Sequence, residues 1–349
     1  MKHFSEISWP VDEPTYRKDP ALSYSTIAKY ERGGFSSLAT LFDEVHSPSL
    51  TFGSVVDELI TGDEESFNNR FIVAQFPKLE PMQETAVRKL SKLYKKEYGS
   101  LDAIPDNDLI ARLNEAGFYM HYKKEETRIK KIKEQSCIDF YRLLSLSDKK
   151  EIIAQDVYDA AQACVEALRV SSATGPYFSP SNDHIRKYYQ LKFKGTIDGV
   201  DYRCMADLIV VDYDRKVVIP CDLKTSSSPE YDFWKSFIKW RYDIQARLYW
   251  RLIRMNMDKD EYFKDFKLVD YRFLVVNKES RTPLTWWFPE TTLDNVLVHS
   301  GNVFRSPWEI GKELRGYLDH TPRVPNGISM TKVNNICEWI DNEASKNQD

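Results

Sequence analysis

The feature that most limits how this chain can fold is a pair of apolar segments, each interrupted by an acidic residue. Residues 202–212, YRCMADLIVVD, and residues 217–224, VVIPCDLK, are rich in β-branched and apolar side chains and are separated by a short polar stretch. This composition predicts two neighbouring strands. Asp207 stands in the middle of the first strand and Asp222 at the end of the second. Burying such charges is costly unless a partner neutralises them.

Asp222 is followed two residues later by Lys224. Residues two apart on a strand point to the same face, so we expect both to project together, with Asp207 joining them from the neighbouring strand. Two carboxylates so placed repel each other, and Mg²⁺ or Mn²⁺ relieves the repulsion with oxygen ligands. A bound ion lowers the pKa of water and stabilises charge on a phosphate, and a lysine beside it can position the attacking water. A simple ion pair at the end of a strand is the alternative.

The segments before these strands predict mainly helices. Residues 1–20 are polar and carry three prolines, which is typical of an extended arm. The pattern becomes helical from Ser23, with Ser25 as the N-cap and a break at Gly33 and Gly34. Further helices are predicted over 51–62, 82–96, 106–117, 123–170 and 230–256, and further strands over 186–193, 267–277 and 283–288.

Asp198-Gly199 is a strong signal for a two-residue hairpin turn between the first two strands of the second half. The predicted order is helices, a strand meander, one long helix, more strands and a closing helix. This order favours an α/β or α+β fold, with a mixed central sheet flanked by helices and a large N-terminal helical addition. We expect a helical region over 1–180 and a core over 181–349, which together form one compact unit.

Charge and cysteine content exclude several classes of function. The net charge is -4, so DNA binding requires a local basic surface. No stretch reaches 18 apolar residues, which predicts no membrane span. An odd number of cysteines without a C-x-x-C pair is typical of a reducing, cytoplasmic location and argues against a zinc knuckle or an iron–sulfur cluster. These cysteines are Cys137, Cys164, Cys204, Cys221 and Cys337.

A basic and aromatic stretch, FWKSFIKWRYDIQARLYWRLIR, follows the second acidic strand. One face of the predicted helix belongs to the core, and the other is expected to carry phosphate contacts and base stacking. The basic residues concerned are Lys235, Lys239, Arg241, Arg247 and Arg251.

The segment from Tyr202 to Trp250 resembles the nuclease core of the RecB-type PD-(D/E)XK enzymes, specifically the phage exonuclease VIII (RecE-like) group. That group has an Asp on one strand and Asp-X-Lys on the next, often followed by Thr. Asp207 and the run DLKT at 222–225 match this pattern. A helix carrying Gln-x-x-x-Tyr then follows in the family. Gln245 and Tyr249 occupy these positions, four residues apart on one helical face. Without the family, both could simply be core residues.

Upstream, the family carries Gly-x-x-x-His on a helix. The segment TFGSVVDEL supplies Gly53 but has Asp57 in the histidine position, which still suits a hard cation. SYSTIAKYE also resembles the N-terminal Ser-containing helix of the group. The chain departs from the pattern at Ala206, which replaces the eponymous proline, and at Gln190, where relatives often carry Glu.

The resemblance implies an exonuclease that degrades linear double-stranded DNA with Mg²⁺ or Mn²⁺. It further implies a role in phage recombination, in the cytoplasm of the bacterial host, with a single-strand annealing protein as partner and with homo-oligomers. The implied catalytic residues are Asp207, Asp222, Lys224, Gln245 and Tyr249, and the implied metal ligands are Asp57, Asp207, Asp222 and Leu223. Two alternatives stay open: an inactive relative that binds DNA or protein, and an endonuclease or single-strand nuclease on the same core.

Overall fold

A computed structural model describes residues 1–43, 47–146, 150–295, 297–299 and 302–319 of the chain. Its α-helices are α1 (Glu13–Lys18), α2 (Tyr24–Gly33), α3 (Pro48–Thr61), α4 (Glu64–Arg70), α5 (Pro81–Tyr94), α6 (Asp106–Glu115), α7 (Glu125–Ile132), α8 (Gln135–Leu146), α9 (Gln155–Val170), α10 (Gly175–Phe178), α11 (Phe233–Trp240), α12 (Tyr242–Asp258) and α13 (Pro307–Asp319). Its strands are β1 (Phe71–Ala74), β2 (Glu151–Ala154), β3 (Ile185–Ile197), β4 (Val200–Asp212), β5 (Val217–Ser226), β6 (Lys267–Leu268), β7 (Tyr271–Asn277), β8 (Leu284–Phe288), β9 (Leu297–His299) and β10 (Asn302–Phe304).

The central sheet has the strand order β3-β4-β5-β7-β8, with β6 pairing beside the start of β5. The contacts β3–β4, β4–β5 and β7–β8 are antiparallel, whereas β5 and β7 run parallel. A parallel neighbour requires a crossover, and α11 and α12 supply it. This mixed sheet, flanked by helices, confirms the predicted fold class.

Helices cover both faces of the sheet. On one face α12 packs against β3 and β4, and α2 and α13 pack against α12. This main core includes Phe193, Tyr202, Leu248 and Phe273, all essentially inaccessible to solvent. On the other face α3 and α9 pack against β5 and β7. The sheet is thus enclosed, as expected for strands with near-continuous apolar sequences.

Helices α5 to α8 enclose a hydrophobic cluster of their own between residues 81 and 146. Leu90, Leu109 and Tyr141 are fully or almost fully buried in it. A short parallel pair, β1 with β2, joins the two ends of this segment. The boundary predicted at residue 180 falls between α10 and β3 and stays a prediction.

The β3–β4 hairpin turns at Asp198 and Gly199, as predicted. Both residues have positive φ, +51° and +79°. That is the backbone geometry of the tight hairpin turns that Asp-Gly favours, because glycine adopts positive φ without steric cost.

The side chains of β4 alternate between the two faces of the sheet, and this alternation is interrupted at Asp207. Ala206 and Ile209 both belong to the main core although they are three residues apart on β4. On β3, Tyr189 pairs with Leu208 and Leu191 pairs with Ala206, so Gln190 lies opposite Asp207. Gln190 has a left-handed φ of +53°. Asp207 therefore lies at an irregular point of the sheet rather than within a regular apolar face.

The predicted extended arm over residues 1–20 is wrong. Residues Phe4–Ile7 form a turn of 3-10 helix, and α1 follows it. Phe4 is fully buried, with its ring centroid 5.0 Å from that of Phe263. The N-cap of α2 is Ser23 rather than Ser25, because the Ser23 side chain accepts from the backbone N–H of Thr26. The polar composition of residues 1–20 gave no signal that the buried Phe4 side chain anchors this segment to the core.

Two predicted long helices are divided. The helix predicted over 123–170 is interrupted by β2, whose short run of isoleucines pairs with β1. The helix predicted over 230–256 breaks at Arg241, which has a left-handed φ of +57° between α11 and α12. The closing helix is α13, and Cys337 and the predicted polar tail lie outside the described residues. None of the described helices is long and apolar enough to cross a membrane.

Candidate active site

Asp207 and Asp222 face each other where β4 and β5 separate. The β4–β5 ladder ends at the pair Leu208–Cys221, so the two aspartates are the next residues on their strands. Asp207 Oδ2 instead accepts a hydrogen bond of 3.0 Å from the backbone N–H of Leu223. The strand predicted over 217–224 continues two residues further, because β5 extends to Ser226 in parallel pairing with β7. The separation of the strands makes room for carboxylates between them.

Lys224 and Asp222 project from β5 to the same side, as predicted. Lys224 Nζ lies 2.5 Å from Asp222 Oδ2, and Asp222 is only 1% exposed. The ammonium also lies 4.7 Å from the ring centroid of Tyr242. Gln245, near the start of α12, donates a hydrogen bond of 2.5 Å from Nε2 to Asp222 Oδ1. Asp222 is therefore the centre of this cluster.

Helix α3 brings Asp57 to the same place. A Cβ atom on Gly53 would lie 3.1 Å from Thr225 Oγ1, so the helix approaches β5 as closely as a glycine permits. Asp57 follows one turn later on the same face. Gln190 Nε2 donates to both carboxylate oxygens of Asp57, at 3.0 and 3.3 Å.

The carboxylates strongly influence one another. Burial, reinforced by the charges of Glu58 and Asp222 and opposed by nearby cations, raises the pKa of Asp57 to about 7. Burial and the charges of Asp222 and Asp57 raise the pKa of Asp207 well above its ordinary value. Burial alone would lower the pKa of Lys224, but the negative charges around it outweigh burial and raise that pKa. Lys224 therefore keeps its proton and its positive charge.

The donor set fits a divalent cation. Gln245 Oε1 is buried and has no hydrogen-bond partner among the described residues, whereas Asp222 Oδ2 is in contact with the Lys224 ammonium at 2.5 Å. Buried oxygens of this kind normally have a partner, such as water or an ion. In the described part of the chain no three His, Cys, Asp or Glu side chains form a ready-made ligand set. Each of the three aspartates instead accepts a hydrogen bond from a protein N–H group.

Some predicted site residues have other positions. Tyr249 lies in the main core, 8% exposed, with its ring edge-on to Tyr271 at 6.2 Å. It therefore supports the site from within and offers no surface to DNA. Arg241 and Arg247 are buried as well, so the prediction that they contact phosphates is wrong. Arg251 forms an ion pair of 2.8 Å with Asp294.

Tyr242 was not among the predicted site residues, although its ring faces Lys224. The sequence carried one signal for it. Tyr242 precedes Gln245 by three residues, and residues at that spacing share a helical face. The break at Arg241, which sets the direction of α12, could not be inferred from the aromatic pattern.

Residues 109–282 match the family model of a PDDEXK-like domain of unknown function (DUF3799). This span contains the site residues of β4, β5 and α12 and excludes Asp57. The matched residues, with their mixed sheet and their Asp and Asp-x-Lys strands, therefore form a PDDEXK-like domain.

The chain is also similar to the crystal structure of a candidate exonuclease from Eubacterium rectale. The sequences are 12% identical, the similarity covers 93% of this chain and 98% of that one, and the TM-score is 0.45. No curated protein matches the sequence.

Proposed function

We propose that this protein is a divalent-metal-dependent deoxyribonuclease with Asp207, Asp222 and Lys224 as its catalytic residues. The observation that carries the proposal is the convergence of these side chains, together with Asp57, where β4 and β5 separate. A strand-end ion pair would need only Asp222 and Lys224. It would not explain two further half-buried carboxylates beside the pair, since such charges destabilise a fold unless they serve a purpose.

Asp207 and Asp222 would hold the cation, with Asp57 and Leu223 as the further ligands. Mg²⁺ and Mn²⁺ prefer oxygen donors, and all of these residues can offer oxygen. When bound, such an ion supplies an activated water molecule and stabilises negative charge on the phosphate. Asp57 depends most on the family resemblance, because it stands where the relatives carry histidine.

The surrounding side chains orient this centre. Lys224 keeps its proton and places a fixed positive charge beside Asp222, where negative charge would develop on a phosphodiester. Gln245 holds one oxygen of Asp222, and its own free acceptor oxygen can take a hydrogen bond from water. Tyr249 supports the same helix from the core.

The proposed substrate is linear double-stranded DNA, degraded from its ends. This part of the proposal rests on the resemblance to the exonuclease VIII group, as do the role in phage recombination, the annealing partner and the homo-oligomer. An endonuclease or single-strand nuclease would use the same centre. A relative that only binds DNA would have little use for a protonated lysine beside three carboxylates.

The test is cleavage of end-labelled linear DNA and covalently closed DNA by the purified protein, with Mg²⁺, Mn²⁺ or EDTA. We expect linear DNA to be degraded with either metal and to survive in EDTA. Asp222→Asn should reduce the rate at least about a hundredfold while the protein stays folded, because it removes a charge on which both the ion and Lys224 depend. Asp212→Asn, on the far end of β4, is the matched control and should cleave normally.

Undiminished cleavage by Asp222→Asn would refute the catalytic assignment. Cleavage of closed circles as fast as linear DNA would replace the exonuclease with an endonuclease on the same site. Binding without any cleavage in Mg²⁺ or Mn²⁺ would favour the inactive relative.

A further inference from the structure

The central sheet has two edge strands, and their backbones are protected differently. At β3, the backbone oxygen of Lys192 accepts a hydrogen bond of 2.7 Å from the N–H of Trp9, and the N–H of Lys187 donates one of 3.0 Å to Ser181 Oγ. At β8, the backbone hydrogen bonds that the described residues form are those with β7. The outward N–H and C=O groups of β8 can therefore pair with a further strand.

The side chains of β8 do not protect this edge. Proteins usually discourage pairing at an edge strand with lysines, other charged side chains or proline. Strand β3 carries one arginine and three lysines, whereas β8 has the sequence LTWWF, without charge or proline. Pro283 and Pro289 flank β8. Because proline cannot donate to a ladder, they limit the open edge to the 5 residues of β8, enough for one short strand.

Arg272 of β7 lies beside this edge without a counter-ion. It is the direct neighbour of Trp287 across the β7–β8 pair. Its guanidinium carbon lies 5.0 Å from the ring centroid of Trp287 and 5.5 Å from that of Tyr177. One guanidinium nitrogen, Nη1, donates to the Tyr177 hydroxyl. The Nε is buried and has no partner, and no carboxylate of the described residues forms an ion pair with Arg272.

A structural role explains only part of this arrangement. Through Tyr177, Arg272 fastens α10 to the sheet, and that contact uses one of its three nitrogens. It leaves a half-buried positive charge uncompensated, which is unfavourable unless a partner supplies the counter-ion. Trp287 is 61% exposed, the highest value for any tryptophan in the described part of the chain. Tryptophan and arginine are the residues that most often dominate binding at protein interfaces.

We propose that the outer edge of β8 binds an extended, acidic segment of a partner protein, which adds one strand to the central sheet. The backbone of the segment pairs with β8, and one of its carboxylates pairs with Arg272 beside the Trp287 ring. Neighbouring strands lie about 4.8 Å apart, so the added strand lies about 10 Å from β7. An arginine and a glutamate side chain together span that distance. This inference goes beyond the nuclease function and does not depend on it.

Two features select a carboxylate on a peptide. The planar guanidinium matches a carboxylate with two parallel hydrogen bonds and stacks on aromatic rings at the same time. The edge of a strand presents alternating N–H and C=O groups, which match the backbone of another strand and not that of a nucleic acid. A segment of alternating glutamate and valine meets both requirements, since β-branched residues favour an extended backbone.

The chain offers a matched control away from this edge. Trp240 is 40% exposed, and the Arg32 guanidinium carbon lies 5.1 Å from its ring centroid. These two residues therefore repeat the contact between Trp287 and Arg272. Trp240 ends α11, and its backbone oxygen accepts hydrogen bonds from α2. Replacing Trp240 thus removes an exposed ring beside an arginine and leaves β8 unchanged.

The test measures binding of a fluorescein-labelled peptide of alternating glutamate and valine by fluorescence anisotropy. Arg272→Met should weaken binding about tenfold, the equivalent of one hydrogen bond to a charged group. Trp287→Ala should weaken it by about the same factor. Trp240→Ala should match the unmodified protein.

Two further peptides test the chemistry without changing the protein. A peptide with lysine in place of glutamate should bind at least about tenfold more weakly, because it places like charge beside Arg272. N-methylation of every second residue should abolish binding in one of the two possible registers and leave the other unaffected. The reason is that only every second N–H of an added strand faces β8.

Unchanged binding by Arg272→Met, equal binding of the glutamate and lysine peptides, or equal losses in Trp240→Ala and Trp287→Ala would overturn the proposal. Self-association of the unmodified protein that Trp287→Ala abolishes in light scattering would assign the edge to a second copy instead. Equally strong competition by an oligodeoxythymidine would assign it to DNA. If Arg272→Met fails to fold, the lysine and N-methylated peptides decide. None of these measurements involves cleavage, so they are distinct from the test of the nuclease proposal.

Discussion

Two clusters of buried charge lie close together in this protein, and they differ in how their charges are compensated. In the first cluster, at the break between α11 and α12, Arg241 donates from Nε and Nη2 to Asp243 at 2.8 and 3.1 Å. It also donates from Nη1 to Glu31 at 2.7 Å and from Nη2 to the backbone oxygen of Arg305 at 2.8 Å. Arg305 in turn pairs with Glu313 at 2.9 Å. Two arginines here compensate three carboxylates, and each carboxylate is paired with an arginine.

The second cluster, at the candidate active site, has three aspartates and one lysine. Asp57 and Asp207 have raised pKa values because burial and neighbouring carboxylates disfavour their charge. Lys224, the lysine of this cluster, lies 2.5 Å from Asp222 and forms no ion pair with Asp57 or Asp207 among the described residues. Buried charge alone therefore does not mark a functional site. The informative difference is an excess of negative charge, which a bound cation would neutralise.

The largest expected effect is on the balanced cluster. Arg241→Met should lower the free energy of unfolding by about 3–5 kcal/mol, because it leaves Asp243 buried without its arginine partner and leaves Glu31 with only Arg305, at 3.4 Å. Urea denaturation followed by circular dichroism measures this. Arg17→Met, which breaks an exposed pair with Glu13, is the control and should cost less than about 1 kcal/mol. A loss as small in Arg241→Met would show that the first cluster is not structural.

The next effect concerns the unbalanced cluster. Adding Mg²⁺ or Mn²⁺ at about a hundred times its dissociation constant should stabilise the metal-free protein by about 2.7 kcal/mol, since the ion binds only the folded state. Asp57→Ala should lose most of this gain, whereas Glu31→Gln, in the balanced cluster, should keep it. Thermal melting with and without metal measures both. If Asp57→Ala still melts later with Mg²⁺, Asp57 is not a ligand.

The third effect is on the pH dependence of stability in EDTA. The pKa of Asp57 is about 7 in the folded protein against an ordinary value of 3.8. The folded state therefore binds the proton more tightly, and stability falls as pH rises through this window. The loss between about pH 5.5 and pH 8 should be roughly 2 kcal/mol. Asp207 acts in the same direction, so Asp57→Asn should reduce the slope without abolishing it. An unchanged slope in that variant would contradict the raised pKa.

The smallest effect is expected at Gln245. Gln245→Met removes the hydrogen bond to Asp222 but also removes a buried acceptor oxygen that lacks a partner. These two terms oppose each other, so the free energy of unfolding should change by about 1 kcal/mol or less. Cleavage should fall more than stability, by about tenfold, because Asp222 loses its orientation. A large loss of stability with full activity would assign Gln245 to the core alone.

The strands and their turn were predictable because their signals are local. Asp198-Gly199 sets the hairpin, and the apolar runs around Asp207 and Asp222 predict adjacent strands whatever surrounds them. The spacing of Asp222 and Lys224 likewise predicts a shared face. The superfamily followed from the order of these motifs along the chain.

Only the tertiary structure decided how the charges of these residues are compensated. The left-handed conformations of Gln190 and Arg241 arise where packed elements force a non-glycine residue into positive φ, which no local pattern announces. The difference between a balanced and an unbalanced charge cluster depends on contacts between residues far apart in the chain, such as Glu31 with Arg241 and Asp57 with Gln190. By itself the sequence determined which side chains could carry the chemistry. The tertiary structure decided which of them are buried together, because burial and Coulomb interactions depend on distance in space and not on distance along the chain.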